Sequence, residues 1–108
     1  MKKEVKFENA QKLKKENPET FYAPELDELK QIKPGETVKV SAYNERFWVN
    51  VTAVDGDTIT GKVVNYLLTR RLRFNDIVTF KLQNVYNIWS IEERGLEQLK
   101  KESKTEGL

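Results

Sequence analysis

The sequence predicts a mainly β (α+β) domain: a small five-stranded antiparallel barrel or strongly bent sheet, with a helical N-terminal arm and a short C-terminal helix. Three observations carry that expectation. Apolar residues crowd between Val38 and Ile91, whereas charges crowd at both ends of the 108-residue chain. Residues 46–65, RFWVNVTAVDGDTITGKVVN, alternate apolar and polar positions around an Asp-Gly turn, the mark of a β-hairpin. Pro34-Gly35-Glu36-Thr37-Val38-Lys39-Val40 is echoed by Phe74-Asn75-Asp76-Ile77-Val78-Thr79-Phe80, so two strands share one style of lead-in.

The elements follow in order. Residues 7–17 read as a helix, with Phe7, Ala10 and Leu13 at helical spacing and Asn17-Pro18 as its stop. Residues 21–24 are an apolar linker laid against the sheet. Pro24 then opens a short helix over 25–31, with acidic residues at its N-terminal end and Leu26 and Leu29 facing inward. Lys33-Pro34-Gly35 is a turn. Residues 37–42 form a strand with Val38 and Val40 inward and Thr37, Lys39 and Ser41 outward. After a Tyr43-Asn44-Glu45 loop, residues 46–54 place Phe47, Val49, Val51 and Ala53 on one face and Trp48, Asn50, Thr52 and Val54 on the other.

Asp55-Gly56-Asp57 reverses the chain, and residues 58–65 return with Ile59, Gly61 and Val63 inward. A glycine at 61, within a strand, predicts a bend or bulge. Residues 66–76 fit either a short helix or a long loop. Residues 77–81 are a strand with Val78 and Phe80 inward, 82–87 a turn of helix, and 88–91 a last short strand. Residues 93–101 suit a helix, and 102–108 a frayed tail. A long central hairpin between two similar strand lead-ins is the rhythm of small SH3-like barrels. Organisation follows: an arm over 1–35, a β core over 36–92, and a C-terminal helix with its tail over 93–108.

Composition narrows the chemistry. The chain has neither cysteine nor histidine. Thiol catalysis, disulfides and thiolate metal sites go with the first, and the commonest general base and zinc ligand with the second. No catalytic residue, metal ligand or cofactor is nominated, and the protein is expected not to be an enzyme. Asp55-Gly56-Asp57 lacks the ligand spacing of a metal loop. Ser41 beside Lys39 has no supporting context as a nucleophile. Carboxylate-based small-molecule binding or hydrolysis is the alternative with least support.

Net charge is +2, and basic and acidic groups balance in every segment: 8 against 7 in residues 1–35, 7 against 6 in 36–92, and 4 against 4 in 93–108. No segment binds nucleic acid or lipid by charge alone. No signal peptide or membrane span is predicted, so the expected location is cytoplasmic.

Two constellations suggest a binding surface. Arg70, Arg71 and Arg73 form the densest charge cluster, with Lys81 nearby and with Trp48 and Tyr66 as stacking surfaces. That set suits a phosphate backbone. The plainer reading pairs these arginines with Asp76, Glu45 or Asp57. Outward Trp48, Trp89, Tyr43 and Tyr66 suit a peptide groove. Against that, Phe7, Leu13, Phe21 or Tyr22 of the arm would cover Trp48. A non-catalytic interaction module with a protein partner is the leading expectation, and a nucleic-acid-binding accessory protein the second.

The run from Arg46 to Asn65, with its F-W-V strand, V-x-G-D turn and I-x-G-x-V return, resembles the YegJ-like bacterial domains of unknown function. The strand over 74–80 matches their G-D-x-V-x-F element, with Asn75 in place of the usual Gly. The aromatic-rich Tyr86-Asn87-Ile88-Trp89-Ser90-Ile91 is similar to their closing segment. The resemblance implies a small barrel-like α+β fold and no established activity.

Overall fold

Alternation of apolar side chains creates one face that must leave water, and five antiparallel strands meet that need here in a single sheet. The computed structural model describes residues 2–3 and 5–89. Its strands are β1 (Lys2–Lys3), β2 (Thr37–Ala42), β3 (Glu45–Asp55), β4 (Thr58–Val63), β5 (Ile77–Lys81) and β6 (Asn87–Trp89), in the order β1-β5-β4-β3-β2-β6. Only the two-residue pairing of β1 with β5 is parallel. β1 and β6 are the two ends of the sheet, so the bent-sheet alternative holds and the barrel is not closed.

The inner face is one continuous core. Val38, Val40, Phe47, Val49, Val51, Ile59, Val63, Val78 and Phe80 are all buried. Leu29, Ile32, Leu72, Leu82 and Val85, from the segments between strands, close over them.

The two similar lead-ins fold alike. Gly35 (φ 97°) and Asn75 (φ 73°) both take the left-handed conformation that the third residue of a type II turn requires. In each turn the following acid accepts a hydrogen bond from the backbone three residues earlier: Lys33 N–H to Glu36, and Arg73 N–H to Asp76, both 2.8 Å. Each turn then docks on the central hairpin, Gly35 N–H donating to the Val51 carbonyl and Asn75 N–H to that of Val63. The echo is therefore one local structure used twice, once on each side of β3–β4.

Several expectations need correction. The first helix is α1 (Ala10–Glu16), capped by the Asn9 side chain, and Phe7 lies before it. Phe7 packs instead against Phe47 and Phe80, at ring separations of 6.2 and 5.2 Å. Helix α2 (Leu26–Leu29) is a single turn, which buries Leu29 and leaves Leu26 exposed. Ala53 is exposed because the β3–β4 register shifts between Val51 and Ala53; beyond that bulge Val54, not Ala53, packs on the core. Thr37 and Ser41 lie off the inner face yet are buried. Thr37 pairs with Trp89 of β6, and the Ser41 carbonyl accepts from the Glu8 N–H of the arm. The last strand ends at Trp89, and the expected strand residues 90–91, helix 93–101 and tail 102–108 lie outside the described residues.

The arm makes a second, smaller core. Ala10, Leu13, Phe21 and Ala23 gather around Tyr86. Arg46 lies over the rings of both Tyr86 (4.8 Å) and Phe21 (5.9 Å). The Ser41 hydroxyl donates to the Glu8 carboxylate. Burial, and the Glu8 carboxylate beside it, hold the Tyr86 phenol above its ordinary pKa of 10.0, against the opposing effects of the Ser41 side chain and the Arg46 guanidinium. Above pH 10 the unfolded chain loses this proton while the folded one keeps it, so stability falls as pH rises from there. In urea titrations between pH 8 and 12, Tyr86→Phe should flatten the alkaline loss of stability.

Candidate binding site

The site lies where the sequence shows no period. Residues 64–76 link β4 to β5 without helix or strand, which settles the helix-or-loop alternative as a loop. Three side chains hold this loop to the sheet. Leu72 turns inward and is 1% exposed within the main core. The Glu45 carboxylate, from the start of β3, accepts the backbone N–H of Leu68 (2.9 Å) and of Thr69 (3.2 Å). Asn65 accepts the Trp48 N–H at the loop's first turn.

Fixing Leu72 inward throws its neighbours outward. Tyr66 and Leu68 are 88% and 95% exposed. Tyr66 stacks on Phe74, with centroids 5.0 Å apart and planes at 16°. Together with Leu67, Thr69, Arg70, Leu72 and Arg73 these rings line an open cleft of about 500 Å³. Arg70 and Arg73 are exposed and make no ion pair with any described residue. Their expected partners are otherwise engaged. Glu45 holds the loop backbone, Asp76 accepts the Arg73 N–H, and Asp57 lies 3.5 Å from Lys81. Arg71 lies over the Tyr43 ring, 5.4 Å from its centroid.

Of the six residues singled out by sequence, the cleft brings together Tyr66, Arg70 and Arg73, with Arg71 on its flank. Lys81 does not belong. It is at the far end of β5, about 13 Å of strand away, and donates to Thr58 beside the β3–β4 turn. Trp48 does not line the cleft either. Its ring packs against Trp89 (5.7 Å) under the Lys39 ammonium (4.9 Å). The expectation that the arm covers Trp48 is corrected in the same way. Phe21 reaches the same face two residues earlier, at Arg46, and Phe7 goes to the core. Sequence reasoning missed Leu67, Leu72 and Phe74 as site residues, because irregular backbone gives apolar residues no period to reveal them. From the sequence Glu45 reads only as a partner for arginine.

Glu45→Ala removes the acceptor shared by Leu68 and Thr69. The loss should be about 1 kcal/mol, with faster amide exchange at those two positions and little change in β2 or β5.

Ser41 is 3% exposed and donates to Glu8, so its hydroxyl is turned away from solvent. No group of three or more acidic residues able to hold a metal ion occurs among the described residues. No described helix is long and apolar enough to cross a membrane.

Fold and site together define a small β-sheet protein with an aromatic and cationic cleft built on one loop. No family model, curated protein or solved structure matches the chain.

Proposed function

We propose that this protein is a non-catalytic binding module, acting in the cytoplasm, whose contact surface is the cleft of the 64–76 loop and whose partner is another protein. One observation carries the reading: exposed Tyr66, Leu68 and Phe74 share a short segment with two arginines that form no ion pair among the described residues. Apolar surface left in water is costly to keep, and a partner that covers it removes that cost while the exposed arginines offer it complementary charge. The loop is pinned at Leu72 and Glu45, so binding has little ordering entropy to overcome. The sequence's likeness to the YegJ-like domains and to SH3-like sheets belongs to the same proposal, resting on the hairpin and the repeated lead-ins.

A second reading, single-stranded nucleic acid, draws on the open face of Tyr66 beside Arg70 and Arg73.

The test is photo-crosslinking in the source cells, with a benzophenone amino acid at Tyr66 and, separately, at exposed Thr52 on the sheet. The expected result is a discrete protein adduct from position 66 alone, lost in Arg70→Ala/Arg73→Ala. Equal labelling from both positions, or nucleic acid as the adduct, overturns the protein-partner reading.

A further inference from the structure

The cleft's lining also says what chemistry a partner must bring, and this inference rests on the binding-module reading. We infer that the cleft takes an acidic peptide segment carrying an aliphatic or aromatic anchor. The carboxylates of that segment pair with Arg70 and Arg73, and its anchor enters between Leu67 and Phe74, with buried Leu72 as the floor.

Three features favour this over a nucleic-acid strand. The first is the number of free cations. The cleft's own two arginines, without an ion pair among the described residues, neutralise about two phosphates, too few for the multi-contact electrostatics that dominate nucleic-acid binding. Planar guanidinium groups suit carboxylates equally well, because two parallel hydrogen bonds form from one fork.

The second is the state of the aromatics. Tyr66 and Phe74 are stacked on each other. Only the outer ring keeps an open face, enough for one base and not for successive bases along a strand. The third is the aliphatic content. Leu67 and Leu72 line the cleft and Leu68 stands beside it, 95% exposed. A sugar–phosphate chain gains little from aliphatic surface, whereas a Leu or Phe side chain gains roughly 25 cal/mol for each Å² it buries.

The charge of the anchor's surroundings then sets specificity. Glu45 and Asp76 flank the loop, but both accept backbone N–H groups of the loop itself. Both carboxylates are thereby engaged with the loop's own backbone dipoles, and neither lines the cleft, whose charged residues are Arg70 and Arg73.

The experiment uses the full chain and three fluorescent probes in anisotropy titrations at low and at physiological salt. One probe is a short peptide alternating Glu with Leu and Phe, the second the same peptide with Gln for every Glu, and the third a single-stranded oligothymidylate. The acidic peptide should bind, with affinity weakened at least about tenfold both by the Gln exchange and by Arg70→Ala/Arg73→Ala. Lys12→Ala/Lys15→Ala removes the same charge from exposed positions of α1, outside the cleft's lining, and should leave the affinity within about twofold. Arg-dependent binding of the oligothymidylate without the peptide overturns the inferred partner chemistry and leaves the cleft as the binding site. Peptide binding that ignores the arginines, or follows both double variants equally, overturns the cleft itself. Absence of binding by any probe overturns the inference.

Discussion

Replacing Leu72 with alanine should lower the unfolding free energy by about 3 kcal/mol and erase the cleft with it. Leu72 is the single residue of its loop that is fully buried in the main core, where it joins Leu29, Ile32 and Val85. Truncation removes buried methyl groups and leaves a void that rigid strand neighbours fill poorly. The same side chain sits between Arg71 and Arg73 and lines the cleft. Losing it frees the segment that aims Tyr66, Arg70 and Arg73. Urea titration reads the stability loss, and amide exchange at 66–74 reads the loosening. A variant as stable as the wild type, or one with an unchanged loop, would contradict the anchoring role.

Gly61→Ala should cost about 2–3 kcal/mol, although alanine is ordinarily the better strand residue. A Cβ at position 61 would lie 2.5 Å from the Asn50 carbonyl oxygen and 2.5 Å from a Val49 methyl. Neither neighbour yields cheaply. The carbonyl belongs to the β3 backbone, and Val49 is wholly buried. This close approach sits beside the register shift between Val51 and Ala53, so the glycine admits the bend that lets β3 and β4 curve over the core. The same substitution at Gly56 meets no atom within 4 Å and is strained only by its φ of 61°, which makes it the natural comparison.

These two residues show where the sequence is legible. Gly61 declares itself because glycine interrupts an otherwise regular strand. The bulge it accompanies does not, since Phe47, Val49, Val51 and Ala53 keep strict alternation in the sequence while the structure breaks it at Thr52. The bounds of strands β2 and β5 are readable to the residue, because each begins at a turn and an acid. Phe7 misleads by falling in helical phase with Ala10 and Leu13; its burial is decided by Phe47 and Phe80, 40 and more residues away.

The site divides in the same manner. Arginines and an aromatic crowded into one aperiodic segment are visible as composition, so Tyr66, Arg70, Arg71 and Arg73 stand out. What fixes them is long-range. Glu45 reaches the loop across 23 residues, and Leu72 finds its place only once the sheet exists. Lys81 and Trp48 look close in sequence terms and are separated by strand direction and sheet face, which composition does not encode.

The central claim is that the 64–76 loop is a preformed surface and not a slack connection. Hydrogen exchange of the wild-type amides of Leu68, Thr69 and Asn75 tests it most directly, since their acceptors are Glu45 and the Val63 carbonyl. Protection of all three at a level approaching that of β4 and β5 is the predicted result. Exchange at the rate of an unstructured peptide would contradict it, because a loop that opens freely holds neither the stacked rings nor the two arginines in one place.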